Sequence, residues 1–295
     1  MIDLRTLEVF FWVVKLGGFG RAAERLHMTQ PGVSQRISQL ETRFKVRLLD
    51  RSSHRTPVPT AKGIEFYAYA ERMLSLHSEL LSCLSETVGL AGTIRLGVAE
   101  TLVHTILGTL IRQLHDLHPR LTPEIAVDIS PNLRSLLLAG ELDVALLLGP
   151  LNEPRVRNVP LGEHEMVWVA GQDLKLSTGA LDLRELASWP ILSYARGTLP
   201  HAQIAELFSR ADVHSPRIFA NSSIASILRM ALDNIGIGVL PYAVVARDLA
   251  TGKLRRLEVQ QTIPGLNFTA SYVATPGDGV AHTVAELAGR ISRET

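Results

Sequence analysis

Between Phe19 and Phe44 two short amphipathic segments follow one another with almost no chain between them, and few folds accommodate that. Phe19, Ala22, Ala23 and Leu26 recur at i, i+3, i+4 and i+7, which predicts a helix with one buried face. After a brief break at His27 and Met28, Thr29 offers a cap to a third helix and Pro31 falls in its first turn, where a missing N–H costs little. Val33, Ile37, Leu40 and Phe44 make its apolar stripe. The opposite face carries Pro31, Ser34, Gln35, Ser38 and Thr42, with Gln30 and Arg36 on its shoulders. Two short helices joined by so tight a turn, the second polar on its outer face, predict a helix-turn-helix. Gln30, Ser34 and Gln35 suit base edges, whereas Arg36 and Arg43 suit phosphates or guanine. Thr29, Pro31 and Ser38 complete that face as candidate DNA contacts.

The flanks fit the same reading. Leu4, Leu7, Phe10, Phe11 and Val14 predict a first helix that Gly17 and Gly18 end. Downstream, the run from Arg47 to Thr60 holds two prolines and spaced arginines and predicts a β-wing along the DNA backbone, with Arg51 and Arg55 as its contacts. Charge is distributed accordingly. Residues 1–60 hold ten Lys and Arg against five Asp and Glu, or +5, while the remainder holds twenty against twenty-four, or −4. Only the head has the local positive charge that a polyanion needs.

The residues Ala22-Ala23-x-x-Leu26-x-x-Thr29-Gln30-Pro31-x-Val33-Ser34-x-x-Ile37-x-x-Leu40-Glu41, then Leu48-Leu49-x-Arg51 and Thr60-x-x-Gly63, carry a resemblance. The pattern resembles that of the LysR-type transcriptional regulators. Gly18 and Gly20 depart from the hydroxyl residues common in that family, Lys45 from the usual Gly after the third helix, and Leu49 from a common Phe.

From Ala61 to about Leu90 no proline occurs, which predicts one long helix. Phe66, Ala70, Met73, His77, Leu80 and Leu84 alternate spacings of four and three, as in a coiled-coil seam. The resemblance implies that this linker helix pairs two subunits. After Gly92 strand and helix signals alternate: strands at 94–99, 125–129, 144–148, 166–170, 191–194, 217–219, 237–240 and 267–274, helices at 102–117, 133–139, 202–209, 224–232 and 280–292. That rhythm predicts a parallel α/β body. The expected organisation is a winged helix-turn-helix over 1–60, a linker helix over 61–90 and an α/β effector domain over 91–295. The resemblance implies two lobes like those of periplasmic binding proteins, about 91–163 with 267–295 and 164–266.

Open α/β sheets bind ligands beyond the C-terminal ends of their strands. Those ends carry Ala99, Glu100, Thr101, Ser130, Arg196, Thr198, Asn221, Ser222 and Ser223. By resemblance Thr101, Ser130, Thr198, the run Asn221 to Ser223, and Phe268 on the returning strand fall where the family contacts effectors. Glu100 departs from the small hydroxyl residues usual there. We expect it to face an amine or hydroxyl of a small polar metabolite whose acidic group Arg196 holds.

Enzymatic readings find little support. Gly-x-Ser-x-Gly and P-loop motifs are absent, and Gly236-Ile237-Gly238 lacks a third glycine and follows a helix. His115 and His118 read as solvated partners of a helix C-terminus, so no metal and no cofactor is expected. One cysteine, Cys83, allows no internal disulfide, and no apolar run reaches the roughly 18–20 residues of a membrane span, so the cytoplasm is expected. The chain is thus expected to be a non-enzymatic, effector-modulated regulator. Expected partners are double-stranded promoter DNA, a small polar effector, a second copy of itself in a homodimer or homotetramer, and RNA polymerase. The competing reading is an α/β binding protein or enzyme whose basic head serves assembly.

Overall fold

The computed structural model describes residues 2–50, 57–84, 90–177, 179–211, 213, 216–275 and 278–294, without the side chains of 75, 78, 79 and 81–84. The chain divides into two compact units, Met1–Val88 with Ala274–Val280, and Gly89–Val273 with Ala281–Thr295.

In the first unit α1 (Leu4–Leu16), α2 (Phe19–Arg25) and α3 (Gln30–Phe44) precede a two-stranded ribbon, β1 (Leu49–Asp50) and β2 (Val58–Pro59), and α4 (Ala61–Leu84). Side chains set the helix boundaries. Asp3 accepts a hydrogen bond from the Thr6 amide at 2.6 Å, and Thr29 Oγ1 accepts from the Gly32 amide at 3.3 Å. Gly17 ends α1 in the left-handed region (φ 62°), and Lys45 ends α3 there too (φ 50°), a conformation with a cost for any residue with a Cβ. Ala22 and Ala23 are buried, and their size lets α2 approach α3 over a core of Val9, Phe10, Val13, Val33 and Ile37.

The ribbon pairs Leu49 with Pro59 and Asp50 with Val58. Its root is fastened to α3 by Glu41, whose Oε1 accepts from the amides of Leu48 and Leu49 at 2.7 and 3.0 Å. It is fastened to α4 by Thr60, which donates its amide to Leu48 O and its hydroxyl to Arg47 O. Thr60 Oγ1 also accepts from the Gly63 amide at 3.0 Å, capping α4. Gly63 presses so closely on the ribbon that a Cβ there would lie 2.0 Å from Leu48 O.

The second unit contains two five-stranded mixed sheets. In chain order it runs through β3 (Ala91–Val98), α5 (Glu100–Leu102), a π-helical turn (Val103–Leu107), α6 (Gly108–Leu117), β4 (Arg120–Val127), α7 (Ser130–Leu138), β5 (Val144–Leu148) and β6 (Val156–His164). It then enters β7 (Met166–Gly171), α8 (Leu183–Leu186), β8 (Ile191–Tyr194), α9 (Leu199–Arg210), β9 (Ile218–Asn221), α10 (Ile224–Leu232), β10 (Ile237–Pro241), α11 (Tyr242–Ala250) and β11 (Leu254–Arg256). β12 (Leu266–Val273) and α12 (Gly279–Glu294) follow. One sheet is ordered β4-β3-β5-β12-β6 and the other β11-β7-β10-β8-β9, so the chain changes sheet at Glu165 and returns between β11 and β12.

The expectation of a parallel body needs correction. β3, β4 and β5 are parallel, as are β8, β9 and β10, but β12 runs antiparallel to both β5 and β6, and β7 antiparallel to both β10 and β11. A strand that enters from the other lobe reaches its sheet from the opposite end. Two strands, β6 and β11, and the helices α8 and α11 were not expected. β6 lies at a sheet edge, where Pro160 and solvent-facing Arg157 and Glu163 are tolerated but erase the apolar pattern. β4, also an edge, begins five residues before the predicted strand because most of its side chains are exposed. A half-buried ion pair ties β3 to the loop before β5: the Asp143 carboxylate accepts from Arg95 N, Nε and Nη2 at 2.9–3.1 Å.

Candidate functional site

On α3, Thr29, Gln30, Pro31, Gln35 and Arg43 are exposed and Ser34 and Ser38 half-buried, so these candidates form one outward strip. Two qualifications come from the geometry. The Thr29 hydroxyl serves as the helix cap, and Arg36 turns toward α1, with Nη1 3.5 Å from Thr6 Oγ1 and 3.7 Å from the Asp3 carboxylate. Arg36 is thereby held at the shoulder of the strip. The Asp3 carboxyl is held below its ordinary pKa, first by the Thr6 amide and then by the Thr6 side chain, with a smaller contribution from Arg36. Arg51 and Arg55 lie outside the described residues.

The expected seam on α4 is corrected. Phe66 packs edge-on to Phe10 at 5.0 Å, Tyr67 stacks on Phe11 at 5.2 Å, and Ala70 is fully buried. Phe66 and Ala70 therefore belong to the unit's own core, because α1 covers that side of α4. Among the described residues of α4 the large apolar side chains left exposed are Ile64, Tyr69, Met73, Leu76 and Leu80, the last four again at spacings of four, three and four. Met73 and Leu80 are shared by the two stripes, His77 is half-buried, and the Leu84 side chain is outside the described residues.

In the second unit a cavity of about 510 Å³ opens where the parallel strands of both sheets end. Glu100, Thr101 and Ser130 from one sheet, Thr198 and Ser222 from the other, and Phe268 on β12 all line it. Arg196, Asn221 and Ser223 do not. Arg196 is exposed to solvent and lies outside the lining. Asn221 Oδ1 accepts from the Ser223 amide at 2.8 Å, and Ser223 caps α10 by accepting from the Ser226 amide. These two residues shape the helix start.

Glu100 is also corrected. Its Oε2 accepts from the Ile224 amide at 2.5 Å, and its Oε1 from the Ala225 amide at 3.0 Å and the Ser223 hydroxyl at 3.2 Å. A carboxylate from the first sheet's side thus occupies the positive end of α10 on the second, making three charge-assisted bonds across the cavity. Glu100 borders the cavity, but its carboxylate oxygens are engaged by the start of α10.

Several lining groups were missed. Asp128 accepts from Asn132 Nδ2 at 3.0 Å and Arg134 is ion-paired with Glu153. Ser130, which was expected here, accepts at Oγ from the Leu148 amide at 3.0 Å. Tyr194 is only 9 % exposed, and its hydroxyl is buried with no hydrogen-bond partner among the described residues. Burial first, and the Glu100 charge second, push the Tyr194 pKa upward, so the phenol keeps its proton. It is the last residue of a strand, where the strand-end rule points, but the expected contacts began two residues later at Arg196. His118, half of the weighed histidine pair, accepts from the Leu90 amide at 3.1 Å, and no cluster of three metal-ligating side chains exists among the described residues.

A winged helix-turn-helix followed by a long helix and a two-sheet α/β body with a ligand-sized cavity defines a ligand-responsive DNA-binding regulator. Comparison with known families and proteins agrees. The LysR substrate binding domain matches residues 88–287, and the bacterial regulatory helix-turn-helix protein, lysR family, matches residues 4–64. The chain belongs to the LysR family of transcriptional regulators. Among its relatives, the HTH-type transcriptional regulator SoxR of Arthrobacter sp. (strain TE1826) is 24% identical over 260 residues, 88% of this chain and 87% of that one. BbuR of Bordetella bronchiseptica is 28% identical over 265 residues, 89% and 80% of the two chains. A full-length OxyR variant from Pseudomonas aeruginosa shares the fold with a TM-score of 0.67 at 23% identity, covering 99% of this chain and 95% of that one. ArgP from Mycobacterium tuberculosis does so with a TM-score of 0.64 at 21% identity, covering 99% and 98%. No described helix is long and apolar enough to cross a membrane.

Proposed function

We propose that this regulator reads a promoter through α3 and changes its action when a small molecule enters the cavity between the two sheets. The observation that carries the reading is the outward strip of Gln30, Pro31, Ser34, Gln35 and Ser38, polar and free of acid, followed in the sequence by a basic segment with Arg47, Arg51 and Arg55. Arg43 and, outside the described residues, Arg51 and Arg55 supply phosphate contacts. The relative CbnR, solved with its target DNA, shares the fold with a TM-score of 0.51 at 19% identity. On this reading the protein works in the cytoplasm, catalyses no reaction and contacts RNA polymerase at its promoter. It assembles through the exposed stripe of α4 into homodimers or homotetramers, so that two readers meet two half-sites. The domain limits proposed are 1–60, 61–90 and 91–295.

The test is titration of the purified protein against the DNA upstream of its own gene and a shuffled copy, at two salt concentrations. Both affinities should fall with salt, by a slope of about 0.9 per phosphate contacted, while the native fragment keeps its preference. Gln30→Ala and Ser34→Ala should lose that preference and keep the slope. Equal binding to both fragments would reject base reading by α3.

A further inference from the structure

We propose that Glu100 is a positioning residue that latches the two lobes together through the start of α10, so that the chain itself supplies a bridge across the cleft. The inference rests on the reading of the cavity as the ligand site and says how that site is assembled. The first amides of a helix have no partner within it and must find one elsewhere. In α10 the first intrahelical bond runs from the Ile227 amide to Ser223 O, which leaves the amides of Ile224, Ala225 and Ser226 to be satisfied. Ser223 Oγ, the local cap, accepts from the Ser226 amide at 3.2 Å. The other amides are served from the opposite lobe. Glu100 Oε2 accepts from Ile224 at 2.5 Å and Oε1 from Ala225 at 3.0 Å, while the Ser223 hydroxyl donates to the same Oε1 at 3.2 Å. The cap of α10 is therefore part local and part contributed across the cleft.

The backbone passes between the sheets at Glu165 and again between β11 and β12, and chain crossings of this kind act as a hinge. Contacts between the lobes then set the angle. Those made by Glu100 are charge-assisted and meet the positive end of a helix dipole, which places them among the stronger hydrogen bonds available. They are also selective: the starts of α7 and α9 border the same cavity and have no side-chain cap among the described residues, yet both oxygens of Glu100 go to α10. Glu100 stands at the joint between the lobes as well. It opens α5, and the π-helical turn that follows packs against α11 of the other lobe. Such turns are rare and concentrate at functional sites. The consequence is that an effector enters a cleft already drawn together, and little of its binding energy goes into closing the lobes.

Pulsed electron resonance on the full-length protein reads the lobe separation, with spin labels at Ala139→Cys and Ser209→Cys, both exposed, and the single native cysteine replaced as Cys83→Ser. Dilution with unlabelled chain confines the signal to one subunit. Glu100→Ala should lengthen the separation by about 2 Å or more. Exchange at the Ile224 and Ala225 amides should accelerate by about tenfold or more, the effect of losing a hydrogen bond to a charge. Acetate, a free carboxylate, should restore both readouts in Glu100→Ala, whereas acetamide should not; a residue that only filled space would show no such preference. From the other side of the latch, Ile224→Pro removes the amide at a helix position that tolerates proline, and it should lengthen the separation more than Ile224→Ala, which keeps the amide. An unchanged separation in Glu100→Ala would overturn the proposal, as would a lengthening that acetate does not reverse or that acetamide reverses equally. Should Glu100→Ala fail to fold, Glu100→Gln, which keeps the volume and loses the charge, and the pair of Ile224 variants decide the matter. None of these measurements involves DNA or an effector, so failure of the latch leaves the reading of the cavity as the ligand site standing.

Discussion

Gly63→Ala sets two physical effects against each other. Gly63 sits in the first turn of α4, and replacing a helical glycine with alanine ordinarily stabilises by about 1 kcal/mol. Here the added Cβ would lie 2.0 Å from the Leu48 carbonyl oxygen and 3.2 Å from Pro59 Cβ, far inside contact distance. That carbonyl has nowhere to go, because it accepts the Thr60 amide at 2.9 Å while the neighbouring Leu48 and Leu49 amides are held by Glu41. Relief requires the ribbon to shift away from α4. The overpacking costs about 1–3 kcal/mol, and stranding the Thr60 amide adds about 1–3 kcal/mol. Against the helical gain the net is a loss of about 1–5 kcal/mol. Hydrogen exchange by mass spectrometry on the full chain reads this locally, since the second unit provides an internal control. Exchange at the amides of Leu48, Leu49, Thr60 and Gly63 should accelerate by about 5- to 4,000-fold, at 1.4 kcal/mol per tenfold, with β3 and β5 unchanged. DNA affinity should fall with it. Protection within about twofold of the unmodified chain, with unchanged DNA binding, would refute the reasoning that the ribbon is braced on α4 at this point.

The other expectations are more compact. Lys45→Gly should stabilise the first unit by about 1 kcal/mol, because Lys45 holds φ 50° where glycine pays no Cβ penalty; calorimetry showing a lower first transition would contradict it. Leu76→Glu places a charge in the exposed stripe of α4, and its solution mass should drop toward the monomer with DNA affinity falling in parallel; an unchanged mass would remove that stripe from the subunit contact. Burial holds the pKa values of His118 and His164 below the usual 6.5, so the unfolded chain takes up protons first. Their contribution to stability is complete above pH 6.5 and is lost as pH falls from there toward the depressed values. His118 protonation also forfeits the hydrogen bond from Leu90, so the second unit's melting temperature should fall between pH 7 and 5.5 and fall less in His118→Asn. A pH-independent transition would mean the two imidazoles are not shielded from water.

How far the chain could be read in advance depends on the range of the interactions involved. Helices α1 to α3 were legible because each is specified by residues within a few positions: Thr29 as a cap, Gly17 as a stop, the Val33, Ile37 and Leu40 stripe as the inward face. The edge strand β6 was not, since it is held by pairing with β12, more than a hundred residues away, and not by its own hydrophobic alternation. The linker seam was legible in its period but not in its phase. Phe66 and Ala70 obey the same heptad arithmetic as Met73 and Leu80, and only the presence of Phe10 and Phe11 on α1 decides that the first pair faces inward.

The ligand site divides the same way. Local sequence and the rule for open sheets determined which segments border it, because strands that end in small or polar residues mark their own termini. Which side chains enter it was decided by the tertiary structure alone. Glu100 bonds to residues 124 and 125 positions away, Arg196 turns to solvent, and Tyr194 is left buried without a partner among the described residues. Caps, turns and amphipathic faces are contests between neighbours in the chain, so the sequence carries their outcome. A charge that crosses a cleft to another helix, or a hydroxyl that loses its water, depends on distances that exist only once both sheets have folded.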